Sequence, residues 1–257
     1  MTTVLVTGAS GGIGLAIAKR FAADGYDLVL VARASDRLAA VASELGRVRV
    51  DTIAADLATP GGADAVAAAV AAAGWDIDIL VNNAGAGLHG AFATTPLERE
   101  LQLIQLNVSS LVQLTKRLLP GMLTRRRGRI VNIASVAAFL PGPFQSVYYA
   151  TKAFVLSFSE ALAEELRGTG VGVTTVCPGP TVTGFHEAAQ VRRARPVGPG
   201  FWMTADAVAE ATVRAVRKKR RLVVPGIRQR VLVWGIWLLP RWLVARVARV
   251  TSEPAGT

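Results

Sequence analysis

The residues of this sequence best suited to proton transfer are two adjacent tyrosines and a lysine in SVYYATKAF, residues 146–154. Tyr148 precedes Lys152 by four residues and Tyr149 precedes it by three, so on a helix either phenol lies beside the ammonium group. An ammonium group favours the phenolate and lowers the pKa of a phenol from about 10, which improves proton exchange near neutral pH. The spacing therefore predicts a catalytic pair, and helical geometry alone leaves both tyrosines open as the acid.

A glycine-rich segment near the amino terminus predicts a nucleotide site. TGASGGIG, residues 7–14, joins an apolar run typical of a strand to a helical pattern. Glycines leave no side chain where the chain approaches a phosphate, and the helix start supplies N–H groups and a positive dipole end. A tight turn without a ligand is the alternative. The cofactor-binding residues expected in this segment are Gly8, Ser10, Gly12, Ile13 and Gly14.

The end of the second predicted strand selects the cofactor. An acid at this place accepts from the ribose 2′-OH of NAD, but this sequence has Ala32 and Arg33. Arginine pairs with a 2′-phosphate and stacks on adenine, so the sequence predicts NADPH (NADP+); an arginine that faces solvent is the alternative. Asp56, with Leu57 beside it, ends the third predicted strand and is placed to bind the adenine amino group.

The elements that must position these residues alternate along the chain. Short β-branched runs are apolar on nearly every residue, which indicates strands buried on both faces, and Ala-rich helical stretches separate them. Helices of this length between strands predict right-handed crossovers and a doubly wound α/β fold with a parallel sheet. We expect Ser35 to cap the second helix. The predicted strands are 3–8, 27–33, 48–56, 77–85, 129–135, 171–179 and 221–226, and the predicted helices include 12–25, 35–46, 62–74 and 204–218.

The composition is that of one large folded domain with a basic end. Of the 257 residues 51% are hydrophobic, and Cys177 is the only cysteine, which excludes an internal disulfide and favours a cytoplasmic protein. The amino terminus has no pattern of a secretion signal. Residues 1–190 carry 15 basic and 15 acidic residues, whereas residues 191–257 carry 14 basic and 3 acidic ones. The basic end predicts either an anionic partner or a solvated surface.

Two classes of site are not expected. The chain has no nucleic-acid-binding motif, and its body is neutral, so we expect no nucleic-acid partner. His89 and His186 have no metal-ligating neighbour at a suitable spacing, so we expect no metal site. Cys177 lies on an apolar strand and is expected to be a buried small hydrophobe.

Taken together and in order, the motifs resemble the short-chain dehydrogenase/reductase family over residues 3 to about 225. The family's tyrosine stands four residues before the lysine and about a dozen after the serine, as Tyr148 does here, so the resemblance implies that Tyr148 is the acid and Tyr149 a packing or pocket residue. The marks of the resemblance are TGASGGIG, NNAG at 82–85, NV at 107–108, Ser135, Tyr148-x-x-x-Lys152 and PGPTVT at 178–183.

The resemblance also implies a fold and a set of roles. The fold is a Rossmann-type sheet of seven strands, and the assembly is a homodimer or homotetramer formed by helix packing. Ser135 would orient the carbonyl oxygen of the substrate, Lys152 would hold the nicotinamide ribose, and Asn107 would support a water relay to the lysine. Further cofactor contacts are implied for Asn83, Ala84, Gly85, Tyr148, Lys152, Pro178, Gly179, Thr181 and Thr183.

These residues predict an NADPH-dependent oxidoreductase. It would reduce a ketone or aldehyde of a lipophilic small molecule, or oxidise the corresponding alcohol, with Tyr148 as the proton donor. The alternative is a catalytically silent NADP-binding regulatory or membrane-associated protein of the same fold.

The sequence predicts a catalytic domain over 1–225, followed by a basic, tryptophan-rich helical tail over 226–257. Before it, a substrate loop is expected at about 184–203. In the tail the apolar run from Val231 to Pro240 is too short to cross a membrane. Two interpretations of the tail stay open: an amphipathic helix at a membrane surface, or a helix that packs over the substrate pocket or in an oligomer interface, which we slightly favour. The apolar loop residues are Phe185, Phe201, Trp202 and Met203, the loop arginines are Arg192, Arg193 and Arg195, and the tail tryptophans are Trp234, Trp237 and Trp242.

Overall fold

The computed structural model of the protein describes residues 2–184 and 201–252. Nine strands are present in these ranges: β1 Thr3–Thr7, β2 Asp27–Ala32, β3 Val50–Ala54, β4 Ile79–Asn82, β5 Gly128–Ile133, β6 Val171–Val176, β7 Thr181–Val182, β8 Met203–Thr204 and β9 Leu222–Val223. Seven of them form one sheet in the order β3-β2-β1-β4-β5-β6-β9, and every neighbouring pair is parallel. The predicted Rossmann-type, doubly wound, seven-stranded α/β fold is confirmed.

Helices cover both faces of the sheet. The α-helices are α1 Gly12–Ala23, α2 Ser35–Glu44, α3 Gly62–Ala72, α4 Leu97–Ile104, α5 Ser110–Thr124, α6 Ser146–Glu165, α7 Ala205–Arg217, α8 Ile227–Trp237 and α9 Arg241–Ser252. Helices α1, α2 and α7 share one apolar core with the sheet, and α3, α5 and α6 share the other. Alternate residues of β1 serve the two cores: Val4 and Val6 face the first, and Leu5 faces the second.

The strand order creates a crevice at the carboxyl ends of the strands. The chain runs outward from β1 to β2 and β3, then returns to place β4 on the other side of β1. Helices therefore leave β1 and β4 in opposite directions, and the loops that follow these two strands separate. Ligands of doubly wound sheets bind at this position. The motifs at 7–14 and 82–85 lie there.

Two local expectations are corrected. Ser35 is not the N-cap of α2: Ala34 is, and the Ser35 hydroxyl donates to Asp36 Oδ1 at 3.2 Å from the first helical position. The tail contains two helices, because Pro240 has no N–H and disfavours a helical conformation in the residue before it. The Pro240 carbonyl instead accepts from the Leu243 and Val244 N–H groups at 2.9 and 3.2 Å and starts α9.

Candidate active site

The glycine-rich loop is closely packed and depends on the absence of side chains. Gly8 and Gly12 adopt positive φ angles of +67° and +54°. A Cβ on Gly14 would lie 2.3 Å from the Gly8 carbonyl oxygen and 2.4 Å from Asn83 Nδ2, so a larger residue there would displace backbone. Helix α1 begins without a side-chain cap, and the N–H groups of its first turn are suited to an anion. The loop therefore fits the phosphates of a dinucleotide. Ser10 and Ile13 are half-buried in it.

Thr7 ties this loop to the NNAG segment. Its hydroxyl oxygen accepts from the Asn83 and Ala84 N–H groups, each at 2.9 Å, and donates to the Val81 carbonyl at 3.2 Å. The Asn83 amide in turn donates to the Thr7 carbonyl at 2.8 Å. Sequence analysis did not select Thr7; the available signal was a hydroxyl residue at the end of an apolar strand, directly before the first glycine.

Arg33 and Asp56 follow neighbouring strands. In the register of β2 with β3, Ala32 pairs with Ala54, so Arg33 and Asp56 come one and two residues after that pair. Arg33 is exposed and forms no ion pair within the described ranges, which fits the binding of a phosphate there. The Asp56 carboxylate accepts from the Ala58 N–H at 2.9 Å, and Leu57 is buried beside it.

The two tyrosines of the doublet have different surroundings. Tyr148 is hydrogen-bonded through its side chain to Ser135, which lies between β5 and a 3-10 turn, Val136–Phe139. The Ser135 hydroxyl oxygen also accepts from the Ala137 N–H at 3.1 Å, which fixes its position. Tyr149 instead covers Gly142, where a Cβ would lie 2.3 Å from its ring. The two rings meet edge-on at 5.8 Å.

Lys152 is buried one helical turn after Tyr148. Its ammonium nitrogen donates to the Ile133 carbonyl at 3.0 Å and lies 5.9 Å from the centre of the Tyr148 ring. Gly85 approaches it closely, since a Cβ there would lie 3.5 Å from Lys152 Nζ and 3.2 Å from Asn107 Oδ1. The structure therefore brings Lys152, Asn107 and the NNAG segment together.

Asn107 lies in a π-helical turn, Gln105–Ser109, between α4 and α5. Its side chain accepts from the Ala86 N–H and donates to the Ala86 carbonyl, both at 3.0 Å, and it donates to Thr151 Oγ1 at 3.0 Å. The Thr151 hydroxyl donates to the Tyr148 carbonyl at 2.7 Å. These contacts fix the position of the Asn107 side chain. Thr151, which sequence analysis did not select, joins it to α6, the helix that carries Tyr148 and Lys152.

The PGPTVT segment lies across the cofactor end of the site. The Pro178 carbonyl accepts from the Val136 N–H at 2.9 Å, and the Thr181 hydroxyl donates to the Gly179 carbonyl at 2.9 Å. Thr183 contacts the glycine loop, since its methyl group lies 3.3 Å from the position of a Cβ on Gly12. The segment therefore bridges the serine region and the glycine loop. Cys177, directly before it, is fully buried as expected, and burial raises the pKa of its thiol to about 12.

Burial shifts the pKa values of Tyr148 and Lys152 in opposite directions. It raises the pKa of the Tyr148 phenol above its usual value, and the hydrogen bond from Ser135 acts in the opposite direction to a smaller extent. Burial lowers the pKa of Lys152 to about 8. The expected lowering of the tyrosine pKa by Lys152 is not found, because the lysine donates to the Ile133 carbonyl rather than to the phenol. Burial of Tyr148 therefore favours the protonated phenol.

These pKa directions predict how carbonyl reduction depends on pH. We expect kcat/KM for reduction to be constant near neutrality and to fall above about pH 8, because the Lys152 ammonium is lost through its pKa of about 8. Tyr148, with its raised pKa, stays protonated in that range. Initial-rate assays at a series of pH values, with NADPH and a non-ionisable ketone, measure this profile. A profile that falls as pH decreases toward neutrality would contradict the assignment.

The tail helices lie beside the serine region. A cleft of about 240 Å³ separates Phe139 and Pro141 from α8 and α9, and among the described residues of its lining Arg241 is the charged one. The other lining residues are Ile236, Trp237, Leu239 and Val244. The 3-10 turn that follows Ser135 ends at Phe139, so this turn connects Ser135 to the lining of the cleft. The end of α9 reaches His89, whose Nε2 is 2.9 Å from the Ser252 carbonyl oxygen.

Part of the predicted substrate loop lies outside the described residues, including Phe185, His186, Arg192, Arg193 and Arg195. Of its remaining apolar residues, Met203 pairs with Thr181 in the short β7–β8 ladder and packs against the first core. The Phe201 carbonyl accepts from Gln229 Nε2 at 2.8 Å, and Trp202 is partly exposed. This end of the loop therefore contacts the tail.

Comparisons with known proteins show similarity to one family. The short chain dehydrogenase family profile matches residues 2–193. The chain is 41% identical over 191 residues to an NADP-dependent 3-hydroxy acid dehydrogenase of Salmonella typhi, a match that covers 74% of this chain and 75% of that protein. Among solved structures it is similar to a short-chain dehydrogenase from Sphingobium yanoikuyae in complex with NADPH, with 33% identity, a TM-score of 0.81, and coverage of 100% of this chain and 98% of the other.

A second solved structure is similar over the whole chain, tail included. It is the bulky-bulky ketone specific alcohol dehydrogenase from Comamonas testosteroni, with 30% identity, a TM-score of 0.78, and coverage of 100% of this chain and 96% of the other. The family profile spans the glycine loop, the NNAG segment, the serine and the Tyr148–Lys152 pair. On this evidence, the chain belongs to the short-chain dehydrogenase family.

Proposed function

We propose that the protein reduces the carbonyl group of a lipophilic ketone or aldehyde with NADPH, or oxidises the corresponding alcohol. As a member of its family it is an oxidoreductase that acts on hydroxyl and carbonyl groups, and its cofactor is NADPH. The observation that carries the proposed chemistry is the side-chain hydrogen bond between Ser135 and Tyr148, one turn before a buried Lys152. This group lies at the carboxyl ends of the strands, beside the glycine loop.

The roles of the residues follow from their contacts. NADPH, when bound, would supply the hydride for the carbonyl carbon. The residues that would hold it are the glycine loop, Arg33, Asp56, the NNAG segment and the 178–183 segment. Tyr148 donates its proton to the developing alkoxide oxygen, and the Ser135 hydroxyl donates a hydrogen bond to the same oxygen and orients it. In the reverse direction Tyr148 takes the proton of the alcohol. Asn107 holds the Ala86 region and Thr151 in place around the pair.

We assign the ammonium group of Lys152 to the cofactor. It lies close to the loop around Gly85 and one helical turn after Tyr148, so it would hold the nicotinamide ribose beside the proton donor. This contact requires the protonated lysine, which donates three hydrogen bonds, and the expected pH profile therefore falls as Lys152 loses its proton.

The apolar cleft supports a lipophilic substrate. Aromatic and aliphatic side chains of the tail line it opposite Phe139, which ends the 3-10 turn that follows Ser135. Arg241 is placed to meet an anionic group on such a substrate. The relatives give the range of chemistry: one is a 3-hydroxy acid dehydrogenase, and another is specific for bulky ketones. We infer that the carbonyl substituent extends from Ser135 into this cleft.

A panel of carbonyl compounds tests the proposal. Loss of NADPH absorbance should be faster with bulky aryl and alkyl ketones and 3-oxo esters than with small polar ketones. Because Phe139 lines the cleft, we expect Phe139→Ala to raise KM for the bulky ketones by roughly tenfold. This factor corresponds to about half of the free energy gained by burying an aromatic side chain. Val250→Ala, on the exposed side of α9, is the matched control and should leave KM unchanged.

Two results would contradict parts of this proposal. NADPH binding without turnover on any carbonyl or alcohol would favour the catalytically silent alternative. Turnover with small polar ketones only, unaffected by Phe139→Ala, would leave the cleft without a role in substrate binding.

We also propose that the protein is a cytoplasmic homodimer or homotetramer. Leu97, Leu101 and Ile104 form an exposed apolar stripe on α4, at spacings of four and three residues, and Phe154 on α6 is also exposed. A stripe of this kind is best buried against a copy of itself, which gives a two-fold interface. The mass in solution, measured by light scattering, tests this assembly.

A further inference from the structure

The tail presents a row of large apolar side chains to solvent. Ile227, Val231, Trp234 and Leu238 follow one another at spacings of four, three and four residues, so they share one side of α8. Trp234 is 78% exposed and Leu238 86% exposed. Trp237 and Trp242 continue the row across the break between the two helices. We call these six residues the tryptophan face.

The opposite sides of both helices are anchored in the protein. Gln229 and Val233 of α8 are only 3% and 6% exposed, and Gln229 Nε2 donates to the Phe201 carbonyl at 2.8 Å. Val244 and Ala248 of α9 are also buried. The tryptophan face is therefore held outward by a packed structure, and burial of its side chains requires a partner beyond the described residues.

Arginines surround the tryptophan face. Successive side chains of a helix are rotated by about 100° around its axis, so Arg228 and Arg230 lie on opposite sides of the row. The Arg246 guanidinium lies 5.3 Å from the centre of the Trp242 ring. From Gly226 to Ser252 the sequence contains five arginines and no acidic residue. Long basic side chains beside an apolar row extend their charges toward anionic groups at the level of lipid headgroups, where tryptophan is also favoured.

We propose that the tryptophan face docks on the surface of an anionic lipid bilayer, with α8 and α9 lying in its plane. The same face of a second copy is a poor occupant, because five arginines from each copy would meet and residues 226–252 of neither copy include an acidic residue. Anionic headgroups supply the opposite charge, and the boundary with the acyl chains accepts the tryptophans. Neither tail helix spans a bilayer: α8 has 11 residues, about 16 Å, against about 30 Å of hydrocarbon. Across the described ranges, no helix meets the requirements for crossing a membrane.

Co-sedimentation of the full-length protein with lipid vesicles tests the apolar part of this proposal. We expect binding to vesicles of phosphatidylcholine with phosphatidylglycerol, weaker binding at high salt, and a blue shift of tryptophan fluorescence. The double variant Trp234→Ser with Leu238→Ser should bind at least tenfold more weakly, because two largely exposed apolar groups no longer enter the lipid boundary. Its NADPH affinity should be unchanged, which shows that it is folded.

Charge-matched variants test the electrostatic part. Each arginine near an anionic surface contributes a factor of roughly five to binding, so Arg228→Gln with Arg230→Gln should weaken it about 25-fold. Lys218→Gln with Arg220→Gln removes two charges at the opposite end of the sheet, after α7, and should bind like the parent protein. None of these measurements needs turnover, so a failure of the proposed enzymatic function would leave their outcome unaffected.

Three results would overturn the proposal. The first is that the parent protein binds vesicles of phosphatidylcholine alone as tightly as vesicles with phosphatidylglycerol. The second is that the two charge variants lose binding to the same extent, and the third is that the parent protein binds no vesicles. In the last case, a lower mass in solution for the Trp234→Ser, Leu238→Ser variant would assign the tryptophan face to contact between copies.

Discussion

Replacing Tyr148 with phenylalanine is expected to lower kcat for carbonyl reduction by roughly 10²- to 10⁴-fold, the usual contribution of a general acid. The variant keeps the ring and loses only the hydroxyl that is hydrogen-bonded to Ser135. The glycine loop, Arg33 and the NNAG segment are untouched. NADPH affinity, measured by fluorescence titration, should therefore stay within a few-fold of the parent value while turnover collapses.

Tyr149→Phe is the matched control, because it removes the same atom from the neighbouring residue. Tyr149 contributes its ring, which covers Gly142 and meets Tyr148 edge-on, and both contacts survive in phenylalanine. We expect kcat within about threefold of the parent value, since a surface or packing change of this size costs little. If Tyr149→Phe lost activity and Tyr148→Phe kept it, the assignment of the acid would be wrong.

The cofactor end of the site was predictable because its signals are local. A glycine-rich loop that joins a strand to a helix start is a specific pattern for binding phosphates, and an arginine after the second strand is placed by the strand itself. The choice between the two tyrosines was different. Both spacings to Lys152 suit a helix. The choice of Tyr148 rested on the family resemblance, in which the tyrosine stands four residues before the lysine and about a dozen residues after the serine. The structure adds a physical distinction, since Tyr148 is the one hydrogen-bonded to that serine.

The contacts that sequence analysis missed join residues far apart in the chain. The Asn83 N–H and the Thr7 hydroxyl are separated by 76 residues, and Asn107 and Thr151 by 44. Asn82 and Asn132, on adjacent strands, are bonded across 50 residues at 2.9 Å. No spacing rule within a helix or strand relates such positions. Each is a single polar residue near the end of a buried element, a weak signal until the register of the sheet is known.

The ionisation of the lysine was also beyond sequence analysis, because it depends on burial. Proximity to a phenol predicts that Lys152 lowers the tyrosine pKa, and this prediction was wrong. In the structure the dominant effect on each group is the loss of water, which raises the pKa of Tyr148 and lowers the pKa of Lys152. The spacing of four residues fixes which groups are neighbours, but only the packing of α6 against the sheet shows that Lys152 faces the Ile133 carbonyl.

Arg33→Asp is expected to weaken NADPH at least tenfold while NADH changes much less. A charge-assisted contact to a phosphate is worth about 1.5–3 kcal/mol, and the new carboxylate also repels the 2′-phosphate. NADH has a ribose hydroxyl at that place, to which an aspartate can accept a hydrogen bond. Arg33 is exposed and forms no ion pair among the described residues, so its loss should not disturb the fold. Separate titrations with the two cofactors measure the change.

The charge-matched control for this prediction is Arg47→Asp. Arg47 is exposed beyond the carboxyl end of α2, whereas Arg33 precedes the amino end of the same helix, so the two changes alter net charge equally at opposite ends of the sheet. A general electrostatic effect on the anionic cofactor would weaken NADPH in both variants. If Arg33 contacts the 2′-phosphate, NADPH affinity should fall in Arg33→Asp and not in Arg47→Asp. NADH affinity should change much less in either variant. Unchanged NADPH affinity in Arg33→Asp would show that the guanidinium faces solvent and that cofactor preference arises elsewhere in the site.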